Sequence, residues 1–159
     1  MSIKLFISDV DGVLTDGSMY YTENGDEIKR FSTYDGMGFS ILKQNGIKTA
    51  LITSEKTNIV ENRAKKMKID YLFQGVSHND KLKSALKICE ELSINLDSVS
   101  YVGDDINCIE LLKKVGIAAC PKNARNEVKA IKNIYKLKTE GGSGAIREFV
   151  DYLLENKLF

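Results

Sequence analysis

The fold of this chain is decided by a stretch near its N-terminus, residues 3–17, which reads IKLFISDVDGVLTDG. Its first half is a short apolar run with β-branched members, the pattern of a buried parallel strand. Two carboxylates follow, Asp9 and Asp11, directly before Gly12. We expect the strand to end near Asp9, where open α/β sheets bind ligands. Two buried anions this close would repel each other unless a hard cation such as Mg²⁺ lay between them.

The composition is that of a globular protein. The chain has 159 residues, 43% of them apolar and 28% charged, which suits one domain over residues 1–159. A net charge of +1 gives no sign of a nucleic-acid or membrane-surface partner. No apolar run approaches the ~20 residues of a membrane span, and the N-terminus lacks the features of a signal peptide. We therefore expect a cytoplasmic protein.

Cysteine and histidine usage argues against several kinds of site. Cys89, Cys108 and Cys120 are widely spaced and odd in number, which favours buried, reduced thiols over a disulfide framework or a zinc site. His78 is the only histidine, which argues against a metal site built from several histidines and against a Ser-His-Asp triad.

Strand and helix patterns alternate along most of the chain. Further strands are predicted at 47–53, 69–73, 99–102, 117–120 and, as an edge strand, 134–137. Helices are predicted at 35–44, closed by Asn45-Gly46, at 56–67, from a cap at Asn79-Asp80 to about 92, and at 108–115, 123–131 and 145–155. Their inner faces include Leu82, Ala85, Leu86, Cys89 and Leu92 in one helix, and Ile146, Phe149, Val150, Leu153 and Leu154 in the last. This order predicts an α/β fold, a doubly wound, Rossmann-like parallel sheet covered on both faces.

A β-hairpin is predicted at about residues 17–33, directly after the first strand. Asn24 and Gly25 form a type I′ turn signal between β-prone flanks. A two-stranded hairpin is marginal alone, so we expect its apolar residues to pack on another surface, such as a neighbouring subunit. The insert is too small to be a domain of its own. A glycine-rich segment at 141–144 is predicted to be a flexible loop.

Side chains of complementary chemistry follow four of the predicted elements. They are Asp9 with Asp11, Thr53 with Ser54, Lys81, and Asp104 with Asp105. In a doubly wound sheet these strand ends converge on one edge. The acids suit a metal ion, whereas the hydroxyl and ammonium groups suit an anion. This inventory predicts phosphoryl transfer, because a dianionic phosphate needs cationic and hydrogen-bonding partners.

The same residues resemble the four motifs of the haloacid dehalogenase superfamily, in the superfamily's order and over the whole chain. The motifs are Asp9-Val10-Asp11-Gly12-Val13-Leu14-Thr15, Thr53, Lys81, and Gly103-Asp104-Asp105. The resemblance implies a phosphatase in which Asp9 is the nucleophile and forms an aspartyl-phosphate. Asp11 would be the general acid and base.

The resemblance also implies the ligands of the metal and of the phosphate. Mg²⁺ would be held by Asp9, the backbone carbonyl of Asp11, and Asp104, with Asp105 orienting either Lys81 or a metal-bound water. The implied phosphate ligands are Gly12, Thr53, Ser54 and Lys81.

A narrower resemblance is carried by residues 31–38, FSTYDGMG, and 141–148, GGSGAIRE. Both segments look like the capless 3-deoxy-octulosonate 8-phosphate phosphatase family. In that family four subunits pack through their hairpins, and the glycine-rich tail or a neighbour's surface helps to close the site. The resemblance implies a homotetramer with its sites at subunit interfaces and a small sugar-acid phosphate as substrate.

One departure from that family points to its nononate branch. The octulosonate phosphatases usually carry Gly-Arg after the second-motif threonine, where this chain has Ser54-Glu55. On a helix, Glu55, Arg63 and Lys66 would fall within about an 80° sector. They resemble a set that contacts the sugar acid in phosphatases for 9-phosphates of sialic-acid-type sugars. Arg63 and Lys66 would bind the carboxylate, and Glu55 hydroxyls or an amide. The expected substrate is 2-keto-3-deoxy-nononate 9-phosphate or N-acetylneuraminate 9-phosphate.

Other interpretations stay open at this point. The octulosonate 8-phosphate is the near alternative substrate, and a solvated helix face is the alternative explanation of Arg63 and Lys66. A signalling receiver domain uses similar residues, but in a different order along the chain. A non-catalytic, regulatory relative would be expected to lack Asp9 or Asp11, and both are present.

Overall fold

The structure is a computed structural model that describes residues 2–159. Its strands are β1 Leu5–Ser8, β2 Tyr20–Tyr21, β3 Glu27–Ile28, β4 Lys48–Ile52, β5 Tyr71–Phe73, β6 Val99–Val102, β7 Ile117–Cys120 and β8 Tyr135–Lys136. Its α-helices are α1 Thr33–Gln44, α2 Asn58–Met67, α3 Lys81–Leu92, α4 Ile109–Leu112, α5 Asn126–Lys129 and α6 Ala145–Glu155. Single 3₁₀ turns cover Leu96–Ser98 and Ile106–Cys108.

Six strands form one parallel sheet in the order β5-β4-β1-β6-β7-β8. This confirms the predicted doubly wound fold. The chain winds from β1 towards one edge and then returns to β6 to build the other side. The strand order therefore reverses between β1 and β6, and open α/β sheets bind ligands in the crevice at such a switch point. Ser8 pairs with Val102 in register, so the residues that follow them emerge side by side.

Side chains of β1 enter two hydrophobic cores, one on each face of the sheet. Phe6 lies on the face covered by α1, α2 and α6, and its ring centroid is 5.8 Å from those of Phe39 and Phe149. Leu5 and Ile7 lie on the opposite face, with residues of α3, α4 and α5. Both faces of β1 are buried, so side chains on either face must be apolar, and Leu5, Phe6 and Ile7 therefore form a continuous apolar run.

Capping residues explain where the longer helices begin and end. Ser32 accepts a hydrogen bond from the Tyr34 amide at the start of α1, and the predicted cap Asn45-Gly46 ends it with Gly46 at φ +75°. Helix α2 begins later than predicted because the Thr57 side chain caps it by accepting a bond from the Val60 amide.

Several local predictions are wrong. Leu86 is exposed, because the buried face of α3 runs through Lys81, Ala85, Ile88 and Cys89 at helical spacing. Leu154 is also exposed. Asp80 occupies the cap position of α3, but its side chain makes no capping hydrogen bond. The helices predicted at 108–115 and 123–131 shorten to the four-residue α4 and α5.

The hairpin forms as β2 and β3, but its turn differs from the predicted type I′. Gly25 adopts φ +86°, whereas Asn24 keeps a negative φ. The Gly25 amide donates to the Thr22 carbonyl (2.9 Å), and the Thr22 amide donates to the Asp26 carbonyl (2.9 Å). This is a type I turn followed by a glycine bulge. Several apolar side chains of the hairpin are exposed: Met19, Tyr20, Tyr21 and Ile28.

The glycine-rich segment is packed instead of flexible. Gly141 and Gly142 are buried against the loop that follows β1. The Gly142 amide donates to the Val13 carbonyl (3.1 Å), and a Cβ on Gly141 would lie 2.1 Å from the Gly12 carbonyl oxygen. The segment therefore braces the loop that carries Asp11.

Two other predictions concern cysteines and membranes. Cys89, Cys108 and Cys120 are free and buried, as predicted. Across residues 2–159, the helices are too short or too polar to span a bilayer.

Candidate active site

The predicted strand-end residues surround one cavity of about 280 Å³ at the carboxyl edge of the sheet. Its lining consists of Asp9, Asp11, Gly12, Gly17, Thr53, Ser54, Glu55, His78, Asp104, Asp105 and Asn107. The cavity lies at the switch point between β1 and β6. The topology thus brings together side chains that are almost a hundred residues apart.

Asp9 is buried and has partners on both carboxylate oxygens. Its Oδ1 accepts a hydrogen bond from the Val10 amide (2.8 Å). Its Oδ2 accepts from the Cys108 thiol (3.0 Å) and forms an ion pair with Lys81. The position of this carboxylate is therefore fixed from three sides.

Lys81 is the first residue of α3 and is almost completely buried. Burial alone would lower the pKa of its ammonium, but the adjacent Asp9 carboxylate and Cys108 outweigh that effect and raise it. Lys81 therefore stays charged beside Asp9. Removing one member of such a buried pair leaves an uncompensated charge, which typically costs about 3–5 kcal/mol.

Asp104 supplies a second carboxylate close to Asp9. An oxygen of Asp9, an oxygen of Asp104 and the Cys108 sulfur all lie within 4.8 Å of one another. Burial, then the charges of Asp9 and Asp105, raise the pKa of Asp104 to about 7. Such crowded carboxylates fit a divalent cation, which would relieve their repulsion.

Gly12 is required by the position of Asp104. Its φ of +82° favours glycine, and a Cβ there would lie 1.9 Å from Asp104 Oδ2. Its amide donates to Thr15 Oγ1 (3.2 Å), so the predicted phosphate ligand contributes space and not a free donor.

Asp11 also lines the cavity and pairs with a lysine of the hairpin segment. Its Oδ1 accepts from Lys29 Nζ at 2.6 Å. Lys29 has no exposed side-chain surface and also lies 2.9 Å from Glu27 Oε1. Sequence patterns gave no signal for Lys29, because it sits in a polar stretch beyond the hairpin turn.

The remaining predicted ligands lie where expected, with one exception. Thr53 is buried after β4, and the Ser54 hydroxyl accepts a long bond from Asn107 Nδ2 (3.5 Å). Asp105, however, accepts from the Ile106 amide (2.7 Å) and does not contact Lys81, whose partners are Asp9 and Cys108. Of the two roles predicted for Asp105, the contact with Lys81 does not form in this structure, and the contact with a metal-bound water stays a prediction.

The residues predicted to bind the sugar acid divide between two surfaces. Glu55 lines the cavity, whereas Arg63 and Lys66 line a separate groove between α1 and α2. Glu55 precedes the start of α2, so helical angles do not apply to it. The rise of α2 carries Lys66 roughly 12 Å along the helix from Asn58. Arg63 donates to the Ser32 carbonyl (2.9 Å) and its guanidinium lies 5.4 Å from the Phe31 ring centroid.

The sequence reasoning missed Cys108, which contacts Asp9, and the cavity-lining residues His78 and Asn107. Cys108 reaches Asp9 because a 3₁₀ turn follows Asp105. Burial, followed by the Asp9 charge, raises the pKa of its thiol to about 12, so the thiol stays protonated and donates. His78 lies at the cavity mouth, three residues before Lys81. That closeness to a motif lysine was its only signal.

Comparison with known proteins assigns the chain that forms this cavity to a family. Residues 7–121 match the model of the haloacid dehalogenase-like hydrolases. The chain belongs to this family. It is also 38% identical over 153 residues to the 3-deoxy-D-manno-octulosonate 8-phosphate phosphatase KdsC of Escherichia coli K12, a match that covers 96% of this chain and 80% of that protein.

Solved structures agree with this assignment. A probable YrbI family phosphatase from Pseudomonas syringae superposes with a TM-score of 0.92 at 42% identity, over 97% of this chain and 86% of the other. The octulosonate 8-phosphate phosphatase of Moraxella catarrhalis, solved with magnesium, phosphate and KDO, gives 0.91 at 35% identity, over 98% and 89%. The chain is therefore a KdsC-like phosphoric monoester hydrolase with the haloacid dehalogenase fold. Neither the receiver nor the non-catalytic interpretation finds support in these matches.

Proposed function

We propose that the chain hydrolyses the phosphate monoester of a keto-deoxy sugar acid, with 3-deoxy-D-manno-octulosonate 8-phosphate as the leading substrate. The observation that carries the proposal is the buried Asp9, paired with Lys81 and within 4.8 Å of the Asp104 carboxylate in one cavity. The names of the matched relatives support the octulosonate over the nononate ester.

In this proposal Asp9 is the nucleophile and Asp11 the general acid and base. An Asp9 oxygen bonds to phosphorus while the bond to the sugar oxygen breaks, and that oxygen takes a proton from Asp11. Asp11 then removes a proton from water, which attacks the aspartyl-phosphate and frees Asp9. Lys81 holds Asp9 in place and, with Thr53 and Ser54, receives the phosphate oxygens.

Asp9, the Asp11 carbonyl and Asp104 would hold the divalent cation, for which we propose Mg²⁺. The crowded, buried carboxylates fit such an ion, and a bound ion offsets the charge that develops on the phosphate. Asp105 borders the same space and would hydrogen-bond a metal-bound water.

A nononate 9-phosphate is the second candidate substrate, because Glu55 lines the cavity beside Asp9. Arg63 and Lys66 lie in another groove, so their proposed contact with the substrate carboxylate requires a neighbouring subunit. The exposed apolar hairpin supports a homotetramer that would bring such a groove to the cavity.

The test is a panel of octulosonate 8-phosphate, nononate 9-phosphate, N-acetylneuraminate 9-phosphate and p-nitrophenyl phosphate, assayed with Mg²⁺. We expect the octulosonate ester to give the highest kcat/KM, and Asp9→Asn to lower kcat by at least about 1,000-fold. Asp151 is a half-exposed acid of α6 that pairs with Arg147, and Asp151→Asn is the matched control, which should leave kcat unchanged. Higher kcat/KM for a nine-carbon ester would reassign the substrate, and turnover by Asp9→Asn would refute the covalent scheme.

A further inference from the structure

The hairpin segment contributes a buried cation that the proposed chemistry has not used. Among residues 2–159, two lysines are buried, Lys29 and Lys81. Each pairs with one aspartate of the first motif, Lys81 with Asp9 and Lys29 with Asp11. Lys29 directly follows β3, so its position depends on how the hairpin returns to the sheet.

The contacts of Lys29 are directed mainly at Asp11. Its ammonium donates to Asp11 Oδ1 at 2.6 Å and makes a longer contact with the Met19 sulfur at 3.8 Å. Glu27 Oε1 lies 2.9 Å away but lacks hydrogen-bond geometry. Lys29 therefore bridges two carboxylates, one from the hairpin and one from the cavity.

Asp11 has little else to fix its side chain. Its Oδ2 is buried and has no hydrogen-bond partner within the described part of the chain. Its backbone sits just before Gly12, at the start of the tight turn after β1. The Asp11 and Glu27 carboxylates lie 2.6 and 2.9 Å from the Lys29 nitrogen. Without that ammonium group they would face each other with no cation between them, and their like charges would push them apart.

We propose that Lys29 is a positioning residue that holds the Asp11 carboxyl group where it exchanges protons with the leaving group. The hairpin then has two tasks, since it carries an exposed apolar surface and also anchors the acid of the cavity. This inference rests on the proposed roles of Asp9 and Asp11. A displacement of the order of 1 Å in such a group costs about 100-fold in rate, which makes the contact measurable.

The test compares two esters that differ in their need for a proton. The sugar-acid ester leaves as an alkoxide, which requires the acid, whereas p-nitrophenolate leaves unaided. We expect Lys29→Met to lower kcat for the sugar-acid ester at least about 10-fold, with KM changed less than about 2-fold. The first-turnover burst of p-nitrophenolate should keep its rate, and Lys29→Arg should recover part of kcat.

Two further variants separate positioning from packing. Glu27→Gln keeps the Lys29–Asp11 contact and should retain kcat. In an Asp11→Asn background, Lys29→Met should cause no further loss, because residues that act as one unit are not additive. If Lys29→Met does not fold, Lys29→Met with Glu27→Gln, which removes the charge conflict, takes its place in the same assays.

The outcomes distinguish this inference from the proposed function. Wild-type kcat in Lys29→Met, or equal losses in the sugar-acid reaction and in the p-nitrophenolate burst, would overturn the positioning role. A loss in Glu27→Gln as large as in Lys29→Met would also overturn it, because hairpin packing would then explain both. Activity of Asp9→Asn, measured in parallel, would refute the phosphatase scheme itself and not the role of Lys29 alone.

Discussion

The cavity at the strand ends and the groove between α1 and α2 carry opposite charges. The cavity is lined by Asp9, Asp11, Glu55, Asp104 and Asp105, and its lysine partners are buried beneath them. The charged residues that line the groove are Lys43, Arg63, Lys66 and Lys68, and among residues 2–159 no acid lines it. One surface suits a cation and the other an anion.

The two regions also differ in how their charges are held. In the cavity, Lys81 and Asp9 fix each other in a buried pair. Burial raises the pKa of Asp104, and the neighbouring acids Asp9 and Asp105 raise it further. In the groove, Arg63 is held by a backbone carbonyl and an aromatic ring, and Lys66 is exposed. Crowded, fixed charges are typical of reaction centres, whereas solvated ones contribute to recognition.

Apart from the loss of the Asp9 nucleophile itself, the largest expected effect lies in the cavity, at Gly12. Gly12→Ala places a Cβ 1.9 Å from Asp104 Oδ2 in a residue with φ +82°, so Asp104 must move. We expect kcat to fall at least about 100-fold, because the metal and the nucleophile lose their common geometry. Mg²⁺ titrations of activity and urea unfolding measure the effect.

Gly25→Ala is the matched control for Gly12. Its φ is +86°, yet nothing lies within 4 Å of a Cβ there. It should cost about 1 kcal/mol of stability from backbone strain and leave kcat unchanged. If Gly12→Ala behaves like Gly25→Ala, the contact between Gly12 and Asp104 has no part in the chemistry.

The cavity was predicted correctly from the sequence, whereas the helical sector proposed for the groove was not, and the reasons differ. The strand ends converge because parallel strands share one carboxyl edge, so the apolar runs alone were enough to bring Asp9, Thr53 and Asp104 together. Only the predicted helical sector for Glu55, Arg63 and Lys66 is wrong, because a helical angle was extended to Glu55, which precedes the Thr57 cap.

The two missed partners depended on geometry that no periodicity encodes. Cys108 meets Asp9 only through a single 3₁₀ turn, and Lys29 meets Asp11 only because the hairpin folds back with a bulge at Gly25. Neither contact follows from residue type or spacing. The tetramer and the cytoplasmic location stay predictions.

A smaller effect is expected in the groove, where Lys66 is the cleanest probe because its side chain is exposed. If the groove receives the carboxylate of a substrate bound to a neighbour, Lys66→Ala raises KM for the sugar-acid ester about 10-fold, equivalent to ~1.4 kcal/mol. KM for p-nitrophenyl phosphate, which lacks a carboxylate, should not change.

Lys65→Ala is the control for Lys66, since Lys65 lies next to it on α2 and pairs with Glu61 at 2.7 Å. Equal KM values for the Lys66 and Lys65 variants would leave the groove without a part in recognition. The cavity would then have to select the sugar acid by itself.

The smallest effect concerns Asp35, a buried acid of α1 that contrasts with Asp104. Burial raises the pKa of Asp35 to about 6, although the Arg147 amide donates to it (3.1 Å). Because this pKa is higher in the folded state than the ordinary 3.8, the group's contribution to stability is complete below about pH 4 and is lost as pH rises through 6.

The wild type should therefore lose about 1 kcal/mol of unfolding free energy between pH 5 and 7.5 through this group. Asp35→Asn, which does not titrate, should lack that part of the loss, whereas all other titrating groups are common to both proteins. Urea unfolding at the two pH values measures the difference, and identical pH dependences would mean that the amides of α6 stabilise the Asp35 carboxylate enough to cancel the cost of its burial.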